Sequence, residues 1–369
     1  MAIQIPKPDG IIDLGVGQPD LDLLPVTLFR SMTLRRENLA YGEEAGDHRF
    51  RQTLATWLSG EYEHPVDAER LMVTTGNSNA LDLICSRLAR AGDTVLVEDP
   101  SYFIALKLFG EHGLKPMALP MDDHGIRLDA LEAALQRHKP AFIYTIPSYH
   151  NPTGITQPLE RREQLVALAR HYRCPLVADE VYQCLYFGQK PPPPLACYDP
   201  KAPVLSLGTF SKILAPGLRL GWIQGSGDIM PSLLGSALFK SGGGLAPVSS
   251  ALVEPLIANG ELQRYLVGLR QQYRSRLERL YQGLHSDFGE RLQIAKPEGG
   301  YFLWVTFTDG TEPMRRLAVA KQQGVSYFGG PLFSANKGFA NSMRLCFAWY
   351  AEQELTIACK RLARLFARQ

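Results

Sequence analysis

Short, nearly continuous apolar runs recur along the chain at residues 71–75, 94–98, 141–146, 176–178 and 204–207, and each stops at a cluster of polar or turn-forming residues. A run without polar alternation is the pattern of a strand buried on both faces. Between these runs the apolar positions change to helical spacing: Phe50, Leu54, Trp57 and Leu58; Leu81, Ile84, Cys85 and Leu88; then Leu165, Leu168, Ala169 and Tyr172 within 159–173, which Pro175 stops. Strand, helix and strand in repetition predict an α/β chain with a mainly parallel sheet and helices on both faces.

The last third changes character. Leu262, Leu266, Leu269, Tyr273, Leu277, Leu280 and Leu284 mark one long helix, expected to run from one domain to the next. A strand at 301–307, a turn at Gly329-Gly330-Pro331, a strand at 342–348 and a basic helix from Glu352 complete a smaller α+β unit. Gly242-Gly243-Gly244 reads as a flexible joint, and the run Pro191 to Pro194 as a rigid spacer without chemistry.

Composition narrows the partners. The 369 residues are 45% hydrophobic and 21% charged, an ordinary soluble balance with room for about two domains. A net charge of +2 gives no reason to invoke nucleic acid or an anionic membrane surface. No run approaches the roughly 20 apolar residues that span a bilayer, and the amino end has no apolar stretch of the signal-peptide kind. Six cysteines without Cys-x-x-Cys spacing read as core thiols in a reducing compartment, and the eight histidines show no metal-ligand spacing. The expectation is a cytoplasmic protein that handles small molecules and holds no metal.

Candidate chemistry lies where apolar runs end. Val204 to Leu207 leads into Gly208-Thr209-Phe210-Ser211-Lys212, with Arg219 soon after. A lysine at the exit of a buried strand can be made nucleophilic by burial and neighbouring cations, and can condense with an aldehyde. Thr209 and Ser211 could donate to a phosphate that Arg219 neutralises; taken alone, the segment reads equally as a surface turn. Asp179 follows another buried run, at the carboxyl edge where open α/β sheets bind ligands. Gly76-Asn77-Ser78-Asn79 opens a helix with free N–H groups beside short polar side chains, a phosphate cradle or an ordinary cap. Gly15 and Gly17 allow close backbone approach. Tyr41 sits in a loop where its hydroxyl could reach a ligand or pack. Arg344 stands inside the apolar run 343–347, where its planar fork suits a carboxylate, whether of a ligand or of a structural salt bridge.

The ordered set Asn151-Pro152-Thr153-Gly154, Asp179-Glu180-Val181-Tyr182 and Thr209-Phe210-Ser211-Lys212 with Arg219 resembles the fold-type I pyridoxal phosphate enzymes, and specifically the class I/II aminotransferases. The opening Gly-Gln-Pro-Asp, Gly76-Asn77-Ser78-Asn79 and Arg344-Leu345 look most like the 2-aminoadipate and aromatic-type branch, which is also similar to the aminotransferase-like half of MocR regulators. No DNA-binding module is expected ahead of this unit. The resemblance implies a large cofactor-binding domain at 41–260 and a small domain made of 1–40 and 261–369. It implies that Lys212 carries pyridoxal 5'-phosphate as a Schiff base and shuttles the proton, that Asp179 pairs with the pyridine nitrogen, and that Tyr182 and Asn151 bond the phenolic oxygen. Tyr102 would stack on the ring; Asn77, Ser78, Thr209, Ser211 and Arg219 would hold the phosphate. Arg344, with Gly17 and Asn151 nearby, would clamp the substrate carboxylate. Tyr41 would reach the phosphate of a neighbouring subunit, so a homodimer with shared active sites is implied. The expected activity is amino transfer from an L-amino acid to a 2-oxo acid. A carbon–sulfur lyase and a non-catalytic ligand sensor are the alternatives on the same fold.

Overall fold

A computed structural model describes residues 6–30 and 32–367. The amino-terminal β1 (Ile12–Asp13) is followed by α1 (His48–Tyr62), whose first turn is capped by the Asp47 carboxylate accepting from the Phe50 amide. Then comes a sheet of eight strands: β2 (Leu71–Thr74), β3 (Thr94–Asp99), β4 (Lys115–Asp122), β5 (Gly125–Ile126), β6 (Phe142–Thr145), β7 (Leu176–Asp179), β8 (Val204–Thr209) and β9 (Gly221–Gly225). Their spatial order is β2-β9-β8-β7-β6-β3-β4-β5. The ladders joining β8, β7, β6, β3 and β4 are parallel; β9 runs antiparallel to both β8 and β2, and β5 to β4.

Alternate residues of these strands feed two separate cores, which is why the runs read as continuously apolar. Phe142, Tyr144, Val177, Leu205 and Leu207 pack against α2 (Asn77–Leu88) and α3 (Phe103–Glu111). Ile143, Leu176, Ala178 and Val204 pack on the opposite face against α4 (Leu128–Arg137) and α5 (Leu159–His171). Strand β4 escapes the apolar-run criterion because it carries Pro116 and Pro120. It tolerates them because β5 covers its outer edge only at Met121 and Asp122.

A second, antiparallel sheet has the order β10-β11-β14-β13, from Leu292–Ile294, Phe302–Phe307, Ser342–Cys346 and Phe328–Gly329 respectively. β1 joins the carboxyl-terminal third by pairing in parallel with β12 (Val325–Ser326). The long helix spans Glu261–Phe288, and the last helix, Glu352–Leu365, docks on it with Cys359 Sγ donating to the Leu280 carbonyl at 3.8 Å. Among the described residues no helix is long and apolar enough to cross a membrane, and no group of His, Cys, Asp or Glu could hold a metal.

Two expectations need correction. Gly242-Gly243-Gly244 is a packing point rather than a loose joint, because a Cβ on Gly243 or Gly244 would overlap the carbonyls of Gly42 or Glu43. The proline run is an anchor: the carbonyls of Pro192 and Pro193 accept from buried Arg162 at 3.0 and 2.9 Å, and Pro192 also accepts from Gln183.

Candidate active site

The candidate residues other than Tyr41 converge at the carboxyl ends of β7 and β8, where the amino-terminal segment passes beside β14, the Leu14 carbonyl accepting from the Cys346 amide. Lys212 lies three residues beyond Thr209, the last residue of β8, and its half-buried amine donates to the Gly17 carbonyl at 3.1 Å. Burial pushes this amine down to about 8; Cys346 and Asp179 oppose the shift, while Arg344 and Arg219 add to it. Tyr301 flanks it, with its ring centroid 5.1 Å from Nζ and its hydroxyl donating to the Lys212 carbonyl at 3.2 Å. Tyr182 is buried beside Tyr301, ring centroids 5.4 Å apart.

Arg344, on β14, is 2% exposed. Nη1 donates to Asn151 Oδ1 at 2.8 Å and Nη2 to the Gly15 carbonyl at 2.5 Å. No carboxylate pairs with it among the described residues, so the salt-bridge reading does not hold. Its charge is accommodated instead by aromatic rings: the guanidinium carbon lies 3.8 Å from the Phe302 centroid and 4.8 Å from that of Phe333, with Phe328 and Phe103 within 6 Å. Burial still draws its pKa down to about 10. Gly17 has no room for a side chain, since a Cβ would stand 2.6 Å from the Phe302 ring.

Asp179 ends β7 and is 3% exposed. Burial raises its pKa, against hydrogen bonds from Tyr144 and Asn77 and the charge of Lys212. Asn77 Nδ2 donates to Oδ1 and the Tyr144 hydroxyl to Oδ2, both at 2.8 Å. The side-chain amide of Asn77 thus faces Asp179, while its backbone N–H stands in the uncapped first turn of α2. Tyr144 was hidden from sequence reading because a tyrosine inside an apolar strand looks like core. Tyr102, before α3, shares the neighbourhood: burial raises its hydroxyl well above the ordinary range, Asp179 adds to this and Arg344 opposes it.

The phosphate-binding candidates form a rim. Gly76 caps α2 at φ 92° without any side-chain cap, which leaves the first N–H groups available, with Ser78 exposed in the first turn. Arg219 lies over this end: a Cβ on Gly76 would be 3.0 Å from Nη2, and the guanidinium donates to the Thr75 carbonyl at 3.4 Å. Thr209 Oγ1 donates to Ser211 Oγ at 3.0 Å. Tyr41 is 90% exposed with its ring beside Gly242, and shares no hydrogen bond or ring contact with the other candidates among the described residues.

These groups fit pyridoxal phosphate: an uncapped helix end beside a guanidinium, a depressed lysine, and a buried carboxylate that no cation pairs with among the described residues. The unpartnered buried Asn77 Oδ1 and Arg344 Nε mark further capacity for a polar guest. Residues 9–362 match the family model of aminotransferase class I and II. The chain is 31% identical over 374 residues to aromatic-amino-acid aminotransferase 1 of Thermococcus litoralis, covering 98% of this chain and 89% of that protein. It is 30% identical over 373 residues to 2-aminoadipate transaminase of Thermus thermophilus, at 98% and 91% coverage. Kynurenine aminotransferase of Pyrococcus horikoshii, solved with PMP, superposes with a TM-score of 0.90 at 31% identity, covering 97% of this chain and 91% of that one. Match, fold and site agree: this chain belongs to the class I and II aminotransferases and is a pyridoxal-phosphate-dependent transaminase.

Proposed function

We propose that the enzyme moves the amino group of an L-amino acid to a 2-oxo acid in two ping-pong half-reactions, with Lys212 holding the cofactor and relaying the proton. One observation carries this reading: the Lys212 amine and the Arg344 guanidinium hang on carbonyls two residues apart, those of Gly17 and Gly15. An α-amino acid presents its amine and carboxylate from one carbon, and this spacing offers a partner for each. When bound, pyridoxal phosphate supplies a carbonyl for the amine and a ring that draws electrons from Cα.

The chain's own groups supply the rest. Neutral Lys212 Nζ takes a proton from the substrate Cα and returns it, while Arg344, with Asn151, fixes the carboxylate by its fork. Ionised Asp179 would pair with the protonated ring nitrogen, and Tyr182 and Asn151 would bond the phenolic oxygen. Tyr102 would cover the ring; Arg219, Ser78, Thr209, Ser211 and the start of α2, where Asn77 stands, would hold the phosphate. Tyr41 acts in the site of a second copy, which makes the working unit a homodimer. Its 90% exposure, with Leu39 two residues before it at 70%, supports a covered surface there. The same reading divides the chain at 41–260 and at 1–40 with 261–369, and places it in the cytoplasm, where its six free thiols remain reduced.

Mixing holoenzyme with single amino acids should convert the cofactor absorbance to that of the amine form with release of one 2-oxo acid, and a second oxo acid should reverse it. Lys212→Ala should abolish both conversions while circular dichroism stays native. Undiminished turnover in that variant would refute the role of Lys212. Ammonia release from a cysteine conjugate without an acceptor would point to elimination instead.

A further inference from the structure

Both oxygens of Asp179 are engaged by side chains from different elements. Tyr144, on the neighbouring strand β6, donates to Oδ2, and Asn77, in the first turn of α2, donates to Oδ1, each at 2.8 Å. Tyr144 and Asp179 share one face of the sheet, and the Tyr144 ring is fixed edge-on to Phe109 at 5.3 Å. The Asn77 amide is turned so that its N–H meets the carboxylate, although its own Oδ1 is then left buried without a partner. The opposite amide orientation would set two oxygens against each other. This arrangement costs Asn77 one hydrogen bond and favours an ionised Asp179, whose burial alone favours the neutral acid.

We propose that Tyr144 and Asn77 are paired positioning residues that keep the Asp179 carboxylate ionised and aimed, and thereby set how firmly the cofactor's ring nitrogen holds its proton. The proposal rests on the transaminase reading of Asp179. A carboxylate has about four acceptor positions; with one used on each oxygen, each retains another for the ring N–H. Removing either donor shifts the shared proton from nitrogen toward Asp179, and a less positive ring withdraws electrons from the substrate less well. The reacting atoms are never touched by Tyr144, so its effect passes entirely through Asp179.

The test uses holoenzyme loaded with pyridoxal phosphate labelled with 15N in the ring, and reads the ring-nitrogen resonance by NMR. Tyr144→Phe and Asn77→Ala should each move the resonance toward the unprotonated pyridine position, the double variant further, with Asp179→Asn as the limit. The half-reaction rate should fall roughly tenfold in each single variant, the loss of one hydrogen bond to a charged group. A contact of Asn77 with the phosphate alone would weaken cofactor retention and leave the nitrogen resonance in place. If both single variants keep the native resonance while Asp179→Asn shifts it, the clamp is overturned and the transaminase reading stands. If Asp179→Asn also leaves it unmoved, Asp179 does not serve the ring nitrogen and both fall. The two donors lie on separate elements, so one variant that folds poorly leaves the other to decide.

Discussion

Lys212 and Arg344 show two ways of placing a cation inside a protein. Lys212 is moved toward neutrality: burial lowers its pKa from 10.5 to about 8, which leaves roughly a tenth of the amine unprotonated at pH 7 and more as pH rises. An unfolded chain protonates this lysine up to its ordinary value. Between about pH 8 and 10.5 the unfolded state therefore binds more protons, and this group adds stability as pH rises through that window. The rate at which apoprotein recombines with pyridoxal phosphate should climb with a midpoint near pH 8; a midpoint close to the ordinary 10.5 would contradict the burial argument. Arg344 keeps its charge, with the faces of Phe302 and Phe333 standing where a counterion would otherwise be needed. An incoming carboxylate therefore has no resident anion to displace. Sequence reading identified this arginine but left its partner open, because the rings come from four separate segments.

At the scale of elements, the site is built from ends: the carboxyl ends of β7 and β8 and the amino end of α2. Gly76 is the hinge of that construction. Its φ of 92° is one that residues with a Cβ rarely adopt, and its bare α-carbon lets Arg219 lie over the helix terminus. Gly76→Ala should cost about 1–3 kcal/mol of backbone strain and push Arg219 aside. Equilibrium dialysis should then show cofactor affinity reduced about tenfold, with secondary structure intact; unchanged retention would remove Arg219 from the phosphate rim. The proline run is also an element with a task. Its carbonyls, with those of Gln157 and Pro147, receive the buried Arg162 guanidinium, close to Glu180, whose pKa burial raises to about 7.

At the scale of the whole molecule, Tyr41 provides the test of assembly. Mixing subunits of Tyr41→Ala with subunits of Lys212→Ala should restore activity that neither preparation has alone. In a mixed dimer one site would carry both defects and the other neither. Without restoration, Tyr41 serves its own chain or no site at all.

The sequence by itself determined the strand and helix succession, the parallel sheet and the lysine, acid and arginine of the site. Continuous apolar runs, helical spacing and polar residues at run ends are local features, and they survive without coordinates. Strand β4 was illegible because only its open edge excuses Pro116 and Pro120. The glycine triplet and proline run were misjudged because composition records freedom or stiffness and not the backbone packed against them. The tertiary structure alone decided that Asn77 faces Asp179, that Tyr144 joins it across two strands, and that Arg344 sits among rings and carbonyls. These pairings join residues far apart in the chain, and a hydrogen bond depends on direction and distance, which a linear order of side chains does not contain.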